Sequence, residues 1–351
     1  MRKAAPPLLL ASITLLAATM GAAWRLLPAT PQKMTASAVE WLGSLKETQK
    51  AKALVDYDAR GRVDWHFIPK DARKGLQVRE MSPEQRKAAD KLLAACLSAA
   101  GYKKATTIMD LEIFLKAVQA KSGQTTPLRD PERYYFTIFG APEEGKKWGL
   151  SIEGHHLSLN FVVQGDKLLS ATPLALCSNP AEVMSSLSEA PKTPKGTRIL
   201  AAEETLAFEL VQSLSEVQQK KAIIAEKAPA ELREAGQAQP TVEAPAGISS
   251  EELTEMQKSL LGKLIAVYYQ NLPSDIADPR MAEVVASGPG GVHFAWAGAT
   301  KPGVGHYYRI QGKTFVIEFV NVQPDAEGNP ANHIHCVLRD LRGDFGIELK
   351  Q

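Results

Sequence analysis

The chain has 351 residues, 44% of them apolar and 23% charged, with 41 basic against 39 acidic side chains and a formal net charge of +2. That length can bury one large core or two ordinary ones, and the composition excludes disordered and fibrous classes. Scattered, balanced charge excludes the basic footprint of a nucleic-acid binder.

Met1-Arg2-Lys3 is a short basic start, followed by an apolar run over residues 8–18 and the small residues Gly21, Ala22 and Ala23. This layout predicts a secretory signal peptide over residues 1–23, cleaved before Trp24. The alternative is an uncleaved N-terminal anchor, although the apolar run is short for a span of roughly 20 residues. Export to the periplasm or beyond is expected, with no membrane contact apart from the leader. Residues 24–80 read as an N-terminal extension, with a helix over 35–55. The alternation Arg62-Val63-Asp64-Trp65-His66-Phe67-Ile68, stopped by Pro69, predicts a strand in which His66 is structural.

From Met81 onward the pattern predicts a single domain over 81–351. Ser82-Pro83-Glu84-Gln85 has the residues of a capped helix start, and the helix is expected to run to a stop at Gly101. A second helix is expected over 105–120. Strands follow at 134–139, 148–152, 155–163 and 167–169, with Gly165-Asp166 as a tight hairpin turn. A helical pattern covers 201–225. Residues 227–247, rich in Ala, Glu, Gln and Pro without an apolar period, predict a flexible exposed loop. A helix over 249–269 and strands at 292–297, 306–311, 314–320 and 333–340 close the chain. Strand runs separated by helical blocks predict an α+β fold with a largely antiparallel sheet and flanking helices.

Cys96, Cys177 and Cys336 are far apart and odd in number. One disulfide is possible in an exported chain, but the spacing is not that of a thiolate zinc site, and small buried side chains are the simpler expectation.

Six of the seven histidines fall in or beside two strand-like stretches: His155 and His156, then His293, His306, His333 and His335. Alternation along a strand decides which can act together. Over 155–163 the odd face is apolar, which makes His155 a core histidine. The even face carries His156 with Ser158 and Asn160, a polar face that should meet a cleft or solvent. His333 and His335 share a face with Arg339, and a His-x-His pair on a strand is a recurrent ligand set for zinc, copper or iron. With Gly312-Lys313 as the turn, Arg309 would oppose Val316 and Tyr307 would oppose Glu318, placing Tyr307, Arg309 and Glu318 together. Glu318 stands in an apolar strand and must be paired, hydrogen-bonded or metal-bound. It is read either as an ion pair with Arg309 or Arg339, or as a ligand beside His333 and His335, with His156 or His293 as a further ligand. Asp344-Phe345-Gly346 lacks the glycine-rich phosphate loop of a kinase and is a chance match.

The run from Trp148 to Asn160, His306-Tyr307-Tyr308-Arg309-Ile310-Gln311-Gly312, and Asn332-His333-Ile334-His335 onward to Gly346 resembles an often exported family catalogued as domain of unknown function number thirty-five hundred. The resemblance covers roughly residues 81–346. It implies that the two histidine stretches belong to one domain and carries no established activity.

The expectation is a secreted metal-dependent enzyme, most plausibly hydrolytic, acting on a small-molecule or peptide substrate. His156, His333 and His335 would be ligands of a divalent metal, Glu318 a ligand or general base with Tyr307 beside it, and Arg309 or Arg339 an anion-holding group. Alternatives are a copper or iron oxidoreductase with the same ligands, a non-catalytic metal- or ligand-binding module, or histidines that are merely hydrogen-bonded core residues.

Overall fold

The computed structural model describes residues 29–123 and 126–349; the expected signal peptide lies outside them. Helices α1 (Thr30–Ser44) and α2 (Glu47–Ala53) lead into strand β1 (Leu54–Val55), and β2 (Leu76–Gln77) follows. Then come α3 (Pro83–Cys96), α4 (Ala99–Lys121), β3 (Tyr135–Phe139), β4 (Lys147–Gly154), β5 (Leu157–Gln164), β6 (Lys167–Ser170) and β7 (Leu174–Leu176). The second half contributes α5 (Ala201–Ser213), α6 (Glu216–Ala222), β8 (Ile223–Ala225), β9 (Ile248–Ser249), α7 (Glu255–Tyr269), α8 (Ser274–Ala286), β10 (His293–Gly298), β11 (His306–Gln311), β12 (Phe315–Asn321) and β13 (Ile334–Asp340).

All thirteen strands belong to one open sheet of order β1-β3-β4-β5-β7-β13-β12-β11-β10-β8, with β2, β6 and β9 paired to β3, β5 and β10. Every pairing is antiparallel except β1 with β3 and β8 with β10. This is the expected α+β fold. The short β7, bonded to β5 on one side and β13 on the other, joins the two halves of the chain. Residues before Met81 share the same sheet and core: β1 and β2 both pair with β3, and Met34, Ala38 and Trp41 of α1 pack in the main core.

Helix limits follow side-chain caps. Ser82 accepts from the Gln85 N–H and the Gln85 side chain returns to Ser82, so α3 starts where the sequence predicts. It stops at Cys96, because Ser98 caps a new helix. Gly101 therefore does not end a helix. It lies in the first turn of α4, where a Cβ would stand 2.1 Å from the Asn271 carbonyl oxygen, so its small size permits a close crossing of chains. The helix α8, with Pro279 inside it, is not among the elements the sequence pattern predicts.

One face of the sheet carries the helices over the larger core. The other has a smaller core of Trp65, Phe67, Ala175, Cys177, Leu232, Ala297, Tyr307, Val320, Val337 and Phe345. Its cover is irregular chain. Arg60–Val63 is a short 3₁₀ turn and residues 64–68 form no strand, contrary to the alternation of 62–68. Trp65 and Phe67 pack down onto the sheet instead, giving a period of two without a neighbouring strand. Residues 227–247 also lie against this face. Leu232 is buried there, and the Gln237 carbonyl accepts from Trp65 Nε1 at 2.8 Å.

Candidate metal centre

The second face brings together side chains from three separate places in the chain. Tyr307, Val320 and His335 occupy one row across β11, β12 and β13. His333 sits just before β13, its N–H held by Asn321 Oδ1 at 2.9 Å. His156 arrives from the other half of the sheet. It is not on a strand: Gly154 pairs with Leu157, so His155-His156 is the two-residue turn between β4 and β5. His156 has φ +62°, a left-handed conformation that costs a non-glycine residue energy. Its N–H donates to the Phe67 carbonyl at 2.7 Å and its carbonyl accepts from Cys177 N–H at 2.8 Å, so the conformation is fixed from both sides.

The Nε2 atoms of His156 and His335 lie 2.9 and 3.0 Å from His333 Nε2, and one nitrogen from each ring falls within 4.8 Å of the other two. Ligands about 2.1 Å from one ion and roughly at right angles would be about 3 Å apart. This buried three-histidine group can hold a metal ion.

Second contacts set the rings. Both Glu231 oxygens lie 2.8 Å from His335 Nδ1. The carboxylate can only accept, so Nδ1 carries the proton and the Nε2 lone pair faces the other imidazoles. Asn179 Nδ2 is placed 3.3 Å from His333 Nδ1 while Asn179 Oδ1 is buried without a partner. Turning that amide over puts the oxygen on Nδ1–H and frees His333 Nε2 in the same way. His155 stacks on His156 at 3.7 Å and is held by Glu112 and by Arg129 Nη1. Phe67 packs on His335 with ring centroids 4.7 Å apart.

Burial, reinforced by the neighbouring histidines and Arg129, holds the His156 pKa well below its ordinary value. Burial and His335 push His333 down to about 2. Burial also lowers His155, outweighing the Glu112 carboxylate. His156 and His333 are therefore neutral at physiological pH, the form that binds metal.

The sequence model of a family described as Protein of unknown function (DUF3500) matches residues 28–347. The chain belongs to this family. No curated protein and no solved structure matches it. The match begins ahead of α1, so in this DUF3500 domain residues 28–80 of the expected extension lie inside the family region.

Several expected site residues fall elsewhere. The hairpin turn is one step further along, with Gly312 N–H bonded to the Phe315 carbonyl at 2.9 Å, so Arg309 opposes Glu318 and Tyr307 opposes Val320. A register shift of two keeps each side chain on its expected face. Tyr307, Arg309 and Glu318 do share the histidine face, but Glu318 is not in the histidine group. Its Oε1 accepts from Tyr307 Oη at 2.6 Å and from Arg233 Nε at 2.7 Å. The ion pair expected with Arg309 or Arg339 is made by Arg233 instead. Arg339 is held by Asp344 at 2.7 Å and by the Gln237 carbonyl at 2.7 Å, which gives Asp344 a structural role. His293 lies at the start of β10 opposite Gln311, away from the group. His306 faces the helical side, between Trp296 and Phe319. Ser158 and Asn160 are buried rather than facing a cleft. The three cysteines are free and buried. Glu231, Asn179, Glu112 and Arg129 were not singled out in the sequence, because each comes from irregular chain or a helix remote from both histidine stretches.

Proposed function

We propose that this DUF3500 domain is a metal-dependent hydrolase whose divalent ion is held by His156, His333 and His335. The convergence of three imidazole nitrogens, one fixed by a carboxylate on its far side, carries the reading. The Nε2 lone pairs of His333 and His335 point to one place beside His156 Nε2, an arrangement relieved by a shared cation, and a carboxylate–histidine pair is the usual outer support of a metal ligand. A bound ion supplies Lewis acidity and lowers the pKa of water. Three protein ligands leave positions for water and substrate. His333 is the half-buried member of the set while His156 and His335 are buried, so the substrate, a small molecule or peptide, approaches past His333. Glu231 is a positioning residue. The basic start and apolar run at the N-terminus support an exported protein, and among the described residues no helix is long and apolar enough to cross a membrane.

The test is elemental analysis of protein purified without chelator or affinity histidines, followed by a panel of ester, amide and phosphoester substrates. The reading expects about one metal per chain, and turnover that disappears on chelation and returns with zinc. Less than about a tenth of an ion after reconstitution would refute the metal centre. Tight binding without turnover would support a binding module, and copper or iron with oxidative turnover the redox alternative with the same ligands.

A further inference from the structure

Arg309 is the exception among the arginines of the histidine face. It lies on β11 between Ala295 of β10 and Glu318 of β12, and is 5% exposed. Its Nε is buried without a partner, and among the described residues its guanidinium makes no side-chain hydrogen bond or ion pair. The neighbouring carboxylate, Glu318, directs Oε1 to Tyr307 and Arg233 and makes no hydrogen bond or ion pair with Arg309. Arg339, on the same face, is by contrast bound by Asp344 and two backbone carbonyls.

A guanidinium taken out of water costs several kcal/mol unless an acceptor replaces its hydration. The planar fork of donors suits the paired oxygens of a carboxylate or phosphate. Of the three β10 residues on this face, His293, Ala295 and Ala297, the one opposite Arg309 is Ala295, with the smallest side chain that still has a Cβ. Gly247 leads into β9 along the outer edge of β10, and at φ +90° a Cβ there would stand 2.1 Å from the Phe294 carbonyl. The Glu243 carbonyl accepts from Gln311 Nε2 at 2.8 Å, so residues 227–247 lie over this end of the face.

We propose that Arg309 anchors an oxyanion-binding site beneath residues 227–247 that takes a carboxylate or phosphate group. The site does not depend on the metal reading. Arg309 stands on β11 while His335 stands on β13, with β12 between them, and no residue of the histidine group is among the groups that define the anion site.

The experiment is calorimetric titration of the full chain with sodium phosphate and, separately, sodium acetate, at constant ionic strength in chloride, before and after chelation. Saturable one-to-one binding of at least one anion is expected, unchanged by chelation and at least tenfold weaker in Arg309→Met. Phosphate alone, acetate alone or both then identifies the class. Absence of saturable binding of either anion, equal affinity in Arg309→Met, or binding that vanishes on chelation would each overturn the site. Should Arg309→Met not fold, selenate soaked into wild-type crystals provides the second measurement. An anomalous peak within hydrogen-bond distance of Arg309 supports the site, and its absence there overturns it.

Discussion

Glu231 holds His335 by Nδ1, with both carboxylate oxygens at 2.8 Å. The two residues are 104 positions apart, one on irregular chain and one on a central strand. Replacing Glu231 by Gln keeps the size but loses the charge, and loss of such a partner typically costs 10–100-fold in metal affinity. We expect that loss for Glu231→Gln, with little change in folding stability because the side chain is one-third exposed. Competition against a chromogenic chelator measures the affinity; wild-type affinity would remove Glu231 from the centre.

His155 and His156 are adjacent but should respond differently. His156→Ala deletes a proposed ligand and should lower metal occupancy as far as His335→Ala does. His155→Ala removes the hydrogen-bond partner of buried Glu112 and leaves only Arg129 Nη1 at 4.0 Å, which predicts a stability loss of about 1–3 kcal/mol. Urea denaturation together with metal content distinguishes them. Equal occupancy in wild type and His156→Ala would take His156 out of the site.

The metal-free protein should lose stability in acid. His333 is held down to about 2 when folded, against an ordinary value of 6.5. Between those values the unfolded chain binds the proton and the folded chain does not. The contribution is therefore fully present above about pH 6.5 and declines progressively as pH falls toward 2. The lowered His156 pKa acts in the same direction. Melting temperatures of chelated protein from pH 8 to pH 4 should fall, and His333→Asn should flatten that slope. An unchanged slope in the variant would contradict the assignment.

Glu318→Gln probes a carboxylate that the sequence offered as a ligand. Its contacts are to Tyr307 and Arg233, so metal occupancy should remain at the wild-type level. Stability should fall by about 1–3 kcal/mol as a charge-assisted hydrogen-bond pair weakens. Loss of metal in this variant would return Glu318 to the coordination sphere.

Local patterning was enough to find the long strands, the Ser82 cap and the α+β class, because alternation and capping act between residues a few positions apart. The family was recognisable by resemblance, from runs such as Asn332-His333-Ile334-His335, but its region begins at residue 28 rather than near residue 81. Faces survived even where pairing did not. The β11–β12 register moved by two, and since side chains alternate with a period of two, Tyr307, Arg309 and Glu318 stayed on the histidine side.

Partners were a different matter. Nothing near Glu318 in sequence indicates that Arg233 takes its carboxylate, and nothing near His335 indicates Glu231. Both come from residues 227–247, whose composition gives no period from which to read a face. His156 reached the site for a reason that parity did not contain. It stands in a β-turn with a left-handed backbone, and the Phe67 carbonyl and Cys177 N–H that fix it come from other parts of the chain. Which side chains share a face along β11, β12 and β13 is readable from the chain alone, because alternation is a property of the local backbone. Which of them meet was decided by the tertiary structure, through the placement of β7 between β5 and β13 and the docking of two irregular segments onto one face.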